Sequence, residues 1–415
     1  MADFAAVVRR YMQDRSLSLR GLARAASYDP SYLSKVLGGH KPVTPYLGAR
    51  LDEVLAAGGE VRAAACEQAA ALAARPERSS SRRSLSRVAE ALQATAAAEA
   101  AGPSIAADGL FELIPHYSHV ISVTTSAAVY DELLSVRAFA NTLLSDSGSS
   151  RHSDVAAAAG WLSALLAMSA TDMGDHAAAH VWCSDTERRG QDAGHPELAG
   201  WATLTMALIA YYQGQADRSA RLAQYGQHAT QPGTVVHAKL AAQEMRSRAM
   251  LRDADGVAEA RTRAAAAIAT LPPEAAAAGA FSIPLAEDPP YTATSLLLVS
   301  RYADAAAATG RVIDTVYQGT PGDQPAKYAR TLLILALAQA GLGQADDAAA
   351  AGSAALSCGR PAWPTMVLAG KLDRSLAASF PETTDAAGYR AHYAAAIAEL
   401  ENQGWQASTT RELLS

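Results

Sequence analysis

Apolar residues in the first 60 positions recur three and four residues apart, which predicts a bundle of short amphipathic helices. A first helix is marked by Phe4, Val7, Val8 and Tyr11 or Met12. A later helix follows Pro42 and is marked by Leu47, Leu51, Val54 and Leu55. Between them, residues 18–41 predict two further helices joined by a tight turn. A compact bundle of four or five helices is therefore expected.

The first helix of residues 18–41 is predicted over Leu19 to Ala26, with Ser18 as its N-cap. Its inner side carries Leu22 and Ala23. Ala23 is small, so it allows a second helix to cross closely, as a helix-turn-helix requires. A turn is expected at residues 27–29.

The second helix begins with Asp29 as cap and Pro30 in the first turn, where a helix tolerates proline. Leu33 and Val36, or Leu37 one position on, give its apolar stripe, and the glycines at 38 and 39 end it. Its polar side chains are suited to base edges and phosphates of double-stranded DNA. The residues expected in the major groove are Ser31, Tyr32 and Lys35, with Pro30 at the helix tip. Those better placed for phosphate are Ser34, His40, Lys41, Arg20 and Arg24.

This pattern resembles the Xre, or lambda-repressor-like, helix-turn-helix family. The matching positions are Leu22-Ala23, Leu33-Ser34 and the segment Gly38-Gly39-His40-Lys41. Ser27 departs from the family, which usually has glycine in the turn. The resemblance implies a DNA-binding transcriptional regulator, and the alternative is a helical hairpin without a DNA role. One short recognition helix contacts few base pairs, so a homodimer is expected.

From about residue 127 the chain is predicted to be an array of helix pairs. Three units have a glycine turn, at Gly174, Gly214 and Gly343. Small residues stand seven positions before and five positions after each glycine: Ala167, Ala207 and Ala336 before, and Ala179, Ser219 and Ala348 after. Weaker candidate turns lie at residues 252–256 and 300–304.

The array resembles tetratricopeptide repeats over roughly residues 130 to 405, although its spacing exceeds their usual length of about 34 residues. The expected tyrosine and proline positions are mostly missing. The resemblance implies stacked helix pairs in a curved α-solenoid with a concave ligand surface. The alternative is an alanine-rich helical domain without a true repeat. The predicted fold is therefore all-α, a helix-turn-helix bundle followed by a tetratricopeptide-like α-solenoid.

Three segments are expected along the chain: a DNA-binding domain over residues 1–74, a linker and connector over 75–126, and a repeat domain over 127–415. Residues 75–84 are rich in Ser and Arg and lack apolar side chains, so they predict a hinge, or a segment that follows the DNA backbone. Residues 102–125 contain Gly-Pro, Asp-Gly and Ile-Pro and are interpreted as a connector with a short extended piece.

Charge divides the 415-residue chain in the same way. Residues 1–88 carry 14 Lys and Arg against 8 Asp and Glu, a net of +6, and residues 89–415 carry 21 against 33, a net of −12. A basic head on an acidic body is typical of a DNA-binding module joined to a domain that does not bind DNA.

Other functional classes lack sequence support. No apolar run reaches membrane-spanning length, the N-terminus does not resemble a signal peptide, and the three cysteines form no CxxC motif. His116 and His119 share a helix face, but no nearby cysteine or carboxylate completes a metal site. The motifs of zinc hydrolases, serine hydrolases and P-loop proteins are missing. We therefore expect a cytoplasmic protein that is not an enzyme, uses no metal or cofactor and contacts no membrane.

Aromatic residues make up only 6% of the chain but cluster in the first two repeat units. Trp161 and the candidate ligand residues Trp182, Trp201, Tyr211 and Tyr212 lie there. Arg137, Asn141, Gln243 and Arg246 are placed to border the same groove. Aromatic faces with amide and guanidinium groups suit a peptide or a small amphiphile. The alternative is that the tryptophans fill core gaps.

The combined architecture resembles repeat-containing quorum-sensing regulators that bind oligopeptides, and more closely the regulators of this shape in antibiotic-producing actinobacteria. Peptide sensors hold the ligand backbone with asparagines, whereas this chain has only Asn141 and Asn402. A small signalling metabolite or a protein partner therefore stays open beside a peptide. The function expected is effector-responsive, sequence-specific transcriptional regulation. The alternative is a repeat scaffold that acts through a protein partner, with secondary DNA contacts.

Overall fold

The computed structural model describes residues 4–26, 30–38, 43, 45–65, 91–92, 104–145, 151–277, 279–286, 288–359, 361–402, 405 and 413. Across these residues the regular secondary structure is helical, without a strand. The chain forms two compact units, Met1–Ser84 and Leu85–Ser415. The all-α fold predicted from the sequence is confirmed. The predicted segment boundaries at residues 74 and 126 stay predictions.

The N-terminal unit is a small helical bundle. Its helices are α1 (Phe4–Asp14), α2 (Leu19–Ala26), α3 (Pro30–Leu37) and α4 (Pro45–Val54), and residues 60–65 are also helical. The apolar positions predicted for α2 and α3 are buried in one core: Leu22, Ala23, Leu33, Val36 and Leu37. Both alternatives for the end of the α3 stripe, Val36 and Leu37, therefore face inward.

Polar contacts fix the ends of these helices. The Ser18 hydroxyl accepts a hydrogen bond from the Gly21 amide at 3.1 Å, which confirms Ser18 as the N-cap of α2. Arg9 donates to the Leu37 carbonyl at 2.7 Å and so satisfies an unpaired acceptor at the end of α3. The turn at residues 27–29 lies outside the described residues.

The second unit is built from fourteen described helices and a short 3-10 turn at Pro273–Ala276. The helices are α5 (Ser104–Val123), α6 (Ser126–Leu144), α7 (His152–Asp172), α8 (His176–Ala193), α9 (Pro196–Tyr212), α10 (Ala216–Ala229), α11 (Val235–Met250), α12 (Ala254–Ala269), α13 (Thr292–Leu298), α14 (Tyr302–Thr315), α15 (Pro325–Gly341), α16 (Ala345–Leu356), α17 (Trp363–Ser379) and α18 (Thr384–Asn402). Successive helices pack as neighbours along the chain, so most contacts are local.

Helix α5 corrects the sequence-based interpretation of residues 102–125 as a connector with an extended piece. Residues 104–123 are helical, with Pro115 inside the helix. Leu110, Tyr117 and Ile121 are buried in the core that α6 and α7 also form. The burial of this face outweighs the hydrogen bond that Pro115 cannot donate.

The three predicted glycine turns are confirmed. Gly174 joins α7 to α8, Gly214 joins α9 to α10, and Gly343 joins α15 to α16, with φ of 75°, 78° and 83°. At the two weaker candidates, Arg252 and Ser300 occupy the same left-handed conformation, with φ of 60° and 61°. Both also connect consecutive helices, although a side chain makes this conformation less favourable than it is for glycine.

The small residues predicted around these turns lie at the helix crossings. All six, Ala167, Ala207, Ala336, Ala179, Ser219 and Ala348, are buried. Helices α7, α9 and α11 also pack on one another in order, as do α11, α13, α15 and α17. In addition, α15 contacts α5 and α17 contacts α7, so late helices of this unit touch early ones.

Helix α7 has the length and the mean hydropathy, 1.3, of a membrane span. Within the protein, however, 83% of that stretch is buried against neighbouring helices. Its apolar character is therefore explained by its place in the core of the helical unit.

Candidate functional site

The exposed face of α2 and α3 carries predicted DNA-contacting residues. Arg20 and Arg24 are exposed and stand one turn apart on α2, and Ser34 and Lys35 are exposed on α3. The opposite faces of both helices are buried in the core, so these polar groups point away from it. Such a face presents cationic and hydroxyl donors suited to phosphates and base edges.

The other predicted DNA contacts are only partly placed. Pro30, Ser31 and Tyr32 belong to the first turn of α3 by their backbone, which agrees with Pro30 at the helix tip. Their side chains lie outside the described residues, as do His40 and Lys41 entirely.

The helical unit contains a partly open cavity of about 320 Å³. Its walls come from α9, α11, α14 and α15, with contributions from α5, α7, α13, α17 and the segment before α13. Apolar lining residues include Leu204, Leu208, Val312, Val316, Ile334 and Leu368. A mostly apolar cavity with a few charged groups is the usual form of a small-molecule site.

Arg246 is the most distinctive group in this cavity. It is 2% exposed, and its guanidinium carbon lies 4.1 Å from the ring centre of Tyr211, 3.9 Å from that of Tyr291 and 5.3 Å from that of Tyr212. Its Nε donates to Gln243 at 2.6 Å, while Nη2 is buried without a hydrogen-bond partner among the described residues. Three aromatic faces and one amide thus hold a buried cation that still has a free donor.

A second group of cations lines the cavity around Lys239. Its ammonium lies 5.1 Å from the ring centre of Trp201. Burial, followed by the charges of Lys327 and Arg330, lowers the pKa of Lys239 well below its usual value. Lys327 donates to the Gly279 carbonyl at 3.2 Å. The cavity therefore concentrates basic side chains within an acidic domain.

Of the predicted ligand residues, the structure brings Trp201, Tyr211, Tyr212 and Arg246 together on the cavity wall. Gln243 lies behind Arg246, and its amide also donates to Ser219 at 2.9 Å. It therefore positions the guanidinium and does not itself line the cavity.

Arg137, Asn141 and Trp182 lie outside this lining, so their role as ligand residues stays a prediction. The buried Arg137 guanidinium pairs with Asp185 at 2.6 Å, donates to Ser163 at 2.8 Å and donates to Asn141 at 2.5 Å. The Trp182 indole donates to the Tyr130 hydroxyl at 2.8 Å. These groups satisfy one another and hold α6, α7 and α8 together, since a buried guanidinium needs such partners.

Trp161 and Trp201 both pack in the core, and only Trp201 of the two also lines the cavity. Phe281, from the segment before α13, packs edge-on against each of them, with ring centres 4.7 and 4.9 Å away. Trp201 also lines the cavity, whereas Trp161 is a core contact. The sequence left open a ligand role and a core role for the tryptophans. Trp161 has the core position, whereas Trp201 has a place in both.

Tyr291 was missed by the sequence reasoning. It adopts φ 69° and ψ 5° just before α13, which aims its ring at Arg246 from 45 positions along the chain. This conformation is unusual for a residue with a side chain and is often found at ligand sites. Neither helical periodicity nor a known motif marks the position, although Pro289 and Pro290 signal a fixed turn there.

A metal-binding cluster is not assembled in the described part of the chain. It contains no cluster of three or more His, Cys, Asp or Glu side chains that could hold a metal ion. His116 is exposed and stacks edge-on with Tyr117. Cys183 is a free, buried thiol whose pKa is raised to about 12 by burial, which makes it a poor nucleophile at neutral pH.

Comparison with known proteins locates one recognised domain. No curated protein matches the chain. Residues 3–65 match the family model of a helix-turn-helix domain, and these residues span α1 to α4 and the helical residues 60–65. The chain therefore carries an N-terminal helix-turn-helix domain followed by a helical domain. The helix-turn-helix domain supports the interpretation of the chain as a DNA-binding regulator.

Proposed function

We propose that this protein is a cytoplasmic, sequence-specific transcriptional regulator that binds double-stranded DNA as a homodimer. The observation that carries the proposal is the match of residues 3–65 to a helix-turn-helix domain. The exposed Arg20, Arg24, Ser34 and Lys35 on α2 and α3 support it, because they are donors for phosphate and base edges. Dimerisation supplies the second half-site that one short recognition helix needs.

The helical domain is the effector-sensing part of this proposal. Its support is a cavity of about 320 Å³ whose wall includes the predicted ligand residues Trp201, Tyr211, Tyr212 and Arg246. Helix pairs joined at turns such as Gly174 and Gly214 agree with a tetratricopeptide-like solenoid. A ligand that favours one arrangement of the two DNA-binding heads would change operator affinity.

The test is selection of DNA by the full-length chain from a random-sequence pool, followed by titration of the enriched sequence. We expect one enriched, nearly palindromic sequence, bound by two chains and at least about 10³-fold more tightly than unrelated DNA. Binding of one chain per site would contradict the homodimer. Absence of any enriched sequence, with weak binding lost on adding salt, would favour the scaffold interpretation.

A further inference from the structure

Arg246 is a buried cation that forms no ion pair with any residue the structure describes. Buried acidic residues of the described chain pair elsewhere, such as Asp185 with Arg137 and Glu244 with Arg263 at 2.8 Å. Around Arg246 the charges and dipoles come from Tyr211, Tyr212 and Tyr291. Burying an unpaired charge is unfavourable for folding. An unpaired cation at a cavity wall therefore indicates a ligand that supplies the negative charge.

The surroundings of Arg246 are positive beyond that one residue. Four basic side chains line the cavity, Lys239, Arg246, Lys327 and Arg330, against the two carboxylates Asp172 and Asp288. Asp288 accepts from Arg261 at 3.1 Å and from Arg311 at 2.6 Å, so its charge is compensated by side chains outside the lining. This positive cavity lies in a segment of net charge −12, with 21 Lys and Arg against 33 Asp and Glu over residues 89–415. The sign of the cavity is therefore opposite to that of its domain.

The geometry of the guanidinium specifies the complementary group. Arg246 belongs to the cavity lining, and its Nη2, which is itself buried, has no hydrogen-bond partner among the described residues. A guanidinium fork binds carboxylate and phosphate oxygens through paired N–H donors. Tyr211 and Tyr291 cover its faces, so the edge is the part left for a ligand. Gln243 fixes the orientation of that edge through Nε.

Cavity size and lining specify the rest of the ligand. An engineered apolar cavity of about 150 Å³ holds benzene, so a cavity of about 320 Å³ has room for roughly 12 non-hydrogen atoms. Leu204, Leu208 and Val312 face this volume. An apolar body of that size fits in this volume.

We propose that the cavity binds a small, largely apolar organic anion whose carboxylate or phosphate is held by Arg246. This inference rests on the effector-sensing part of the proposed function and names the chemical class of the effector. It favours a metabolite over a peptide. Lys239 and its cationic neighbours add a favourable potential along the rest of the cavity.

The experiment is calorimetric titration of the full-length protein, at constant ionic strength, with three probes that share one aromatic body. The probes are naphthalene-2-carboxylate, 2-naphthyl phosphate and the neutral naphthalene-2-carboxamide. We expect at least one anion to bind tenfold or more tightly than the carboxamide, and the preferred anion distinguishes the two oxyanion chemistries. Equal affinity for all three, or no binding by any, overturns the proposal.

Variants test the assignment to Arg246. Arg246→Met should abolish the preference for the anion over the carboxamide, while Arg246→Lys should keep part of it. Arg252→Met is the matched control, because it removes an exposed charge just after α11 and should leave the preference unchanged. A preference that survives in Arg246→Met contradicts the assignment. The wild-type titration tests the preference for an anion even if a variant does not fold.

A separate measurement distinguishes this inference from the proposed function. The selected DNA is titrated with protein in the presence and absence of each probe. Anion binding without any change in DNA affinity supports the inference and contradicts effector sensing. A DNA response to the carboxamide equal to that of the anions contradicts the inference and leaves effector sensing in place.

Discussion

The ion pair between Arg137 and Asp185 provides a sharp test of the assignment of Arg137 to the framework. The Arg137 side chain is 3% exposed and that of Asp185 is 23% exposed, so Asp185→Asn leaves a buried guanidinium without a charged partner. Breaking a buried pair in this way costs about 3–5 kcal/mol. Because Asp185 is partly exposed and asparagine still accepts a hydrogen bond, we expect about 3 kcal/mol.

Urea unfolding followed by circular dichroism measures this cost. The double variant Arg137→Met/Asp185→Leu should recover most of the loss, because replacing both partners removes the uncompensated charge. A single variant that loses less than about 1 kcal/mol, or a double variant no more stable than the single, would refute the reasoning. So would a change in the anion preference of Arg137→Met, since this residue lies outside the cavity lining.

The stabilisation that the Arg137–Asp185 pair provides should change with pH in one direction. Burial raises the pKa of Asp185, but the hydrogen bond from Ser163 and the charges of Arg137 and Arg189 outweigh it and lower the pKa below 3.8. The stabilisation is therefore fully present above pH 3.8 and is lost as the pH falls through the folded-state pKa. The stability difference between wild type and Asp185→Asn should be constant from pH 5 to 7 and shrink in acid.

Three further predictions concern other described features. The folded protein lowers the pKa of Lys239 below 10.5, so deprotonation favours the folded state. In urea unfolding, the free energy of unfolding of the wild type relative to Lys239→Met should therefore rise as the pH increases toward 10.5. Gly226→Ala should destabilise the protein more than Gly214→Ala in thermal unfolding, because the Cβ added at position 226 would lie 2.8 Å from Leu240. Gly214 has open space around it, so Gly214→Ala costs only the strain of a side chain at φ 78°, about 1 kcal/mol. Ser300→Gly should raise stability by up to about 1 kcal/mol by the same measurement, since Ser300 has φ 61°; unchanged stability would mean that this turn is not strained.

The sequence predicted the elements whose signals are local. The Ser18 cap, the buried stripe of α3 and the turns at Gly174, Gly214 and Gly343 each depend on residues within a few positions of one another. Periodicity and turn chemistry report such features directly.

The features that the sequence missed depend on distant partners. Arg137 and Asp185 are 48 positions apart, and Arg246 and Tyr291 are 45 positions apart, so no spacing rule joins them. In residues 102–125, the Gly-Pro, Asp-Gly and Ile-Pro pairs suggested a connector, although residues 104–123 are helical. Packing of α5 against α6 and α7 decided otherwise, and that packing is a property of the tertiary structure.

The most direct test of the account is the effect of Lys35→Ala on binding of the full-length protein to its selected DNA, measured by fluorescence anisotropy. The exposed Arg218 on α10, in the helical domain, provides the control Arg218→Ala, which removes the same charge. We expect Lys35→Ala to lose about 1–3 kcal/mol of binding free energy and its preference at one base pair, while Arg218→Ala binds like wild type. Wild-type affinity and sequence preference in Lys35→Ala would contradict the assignment of α3 as the DNA-reading helix.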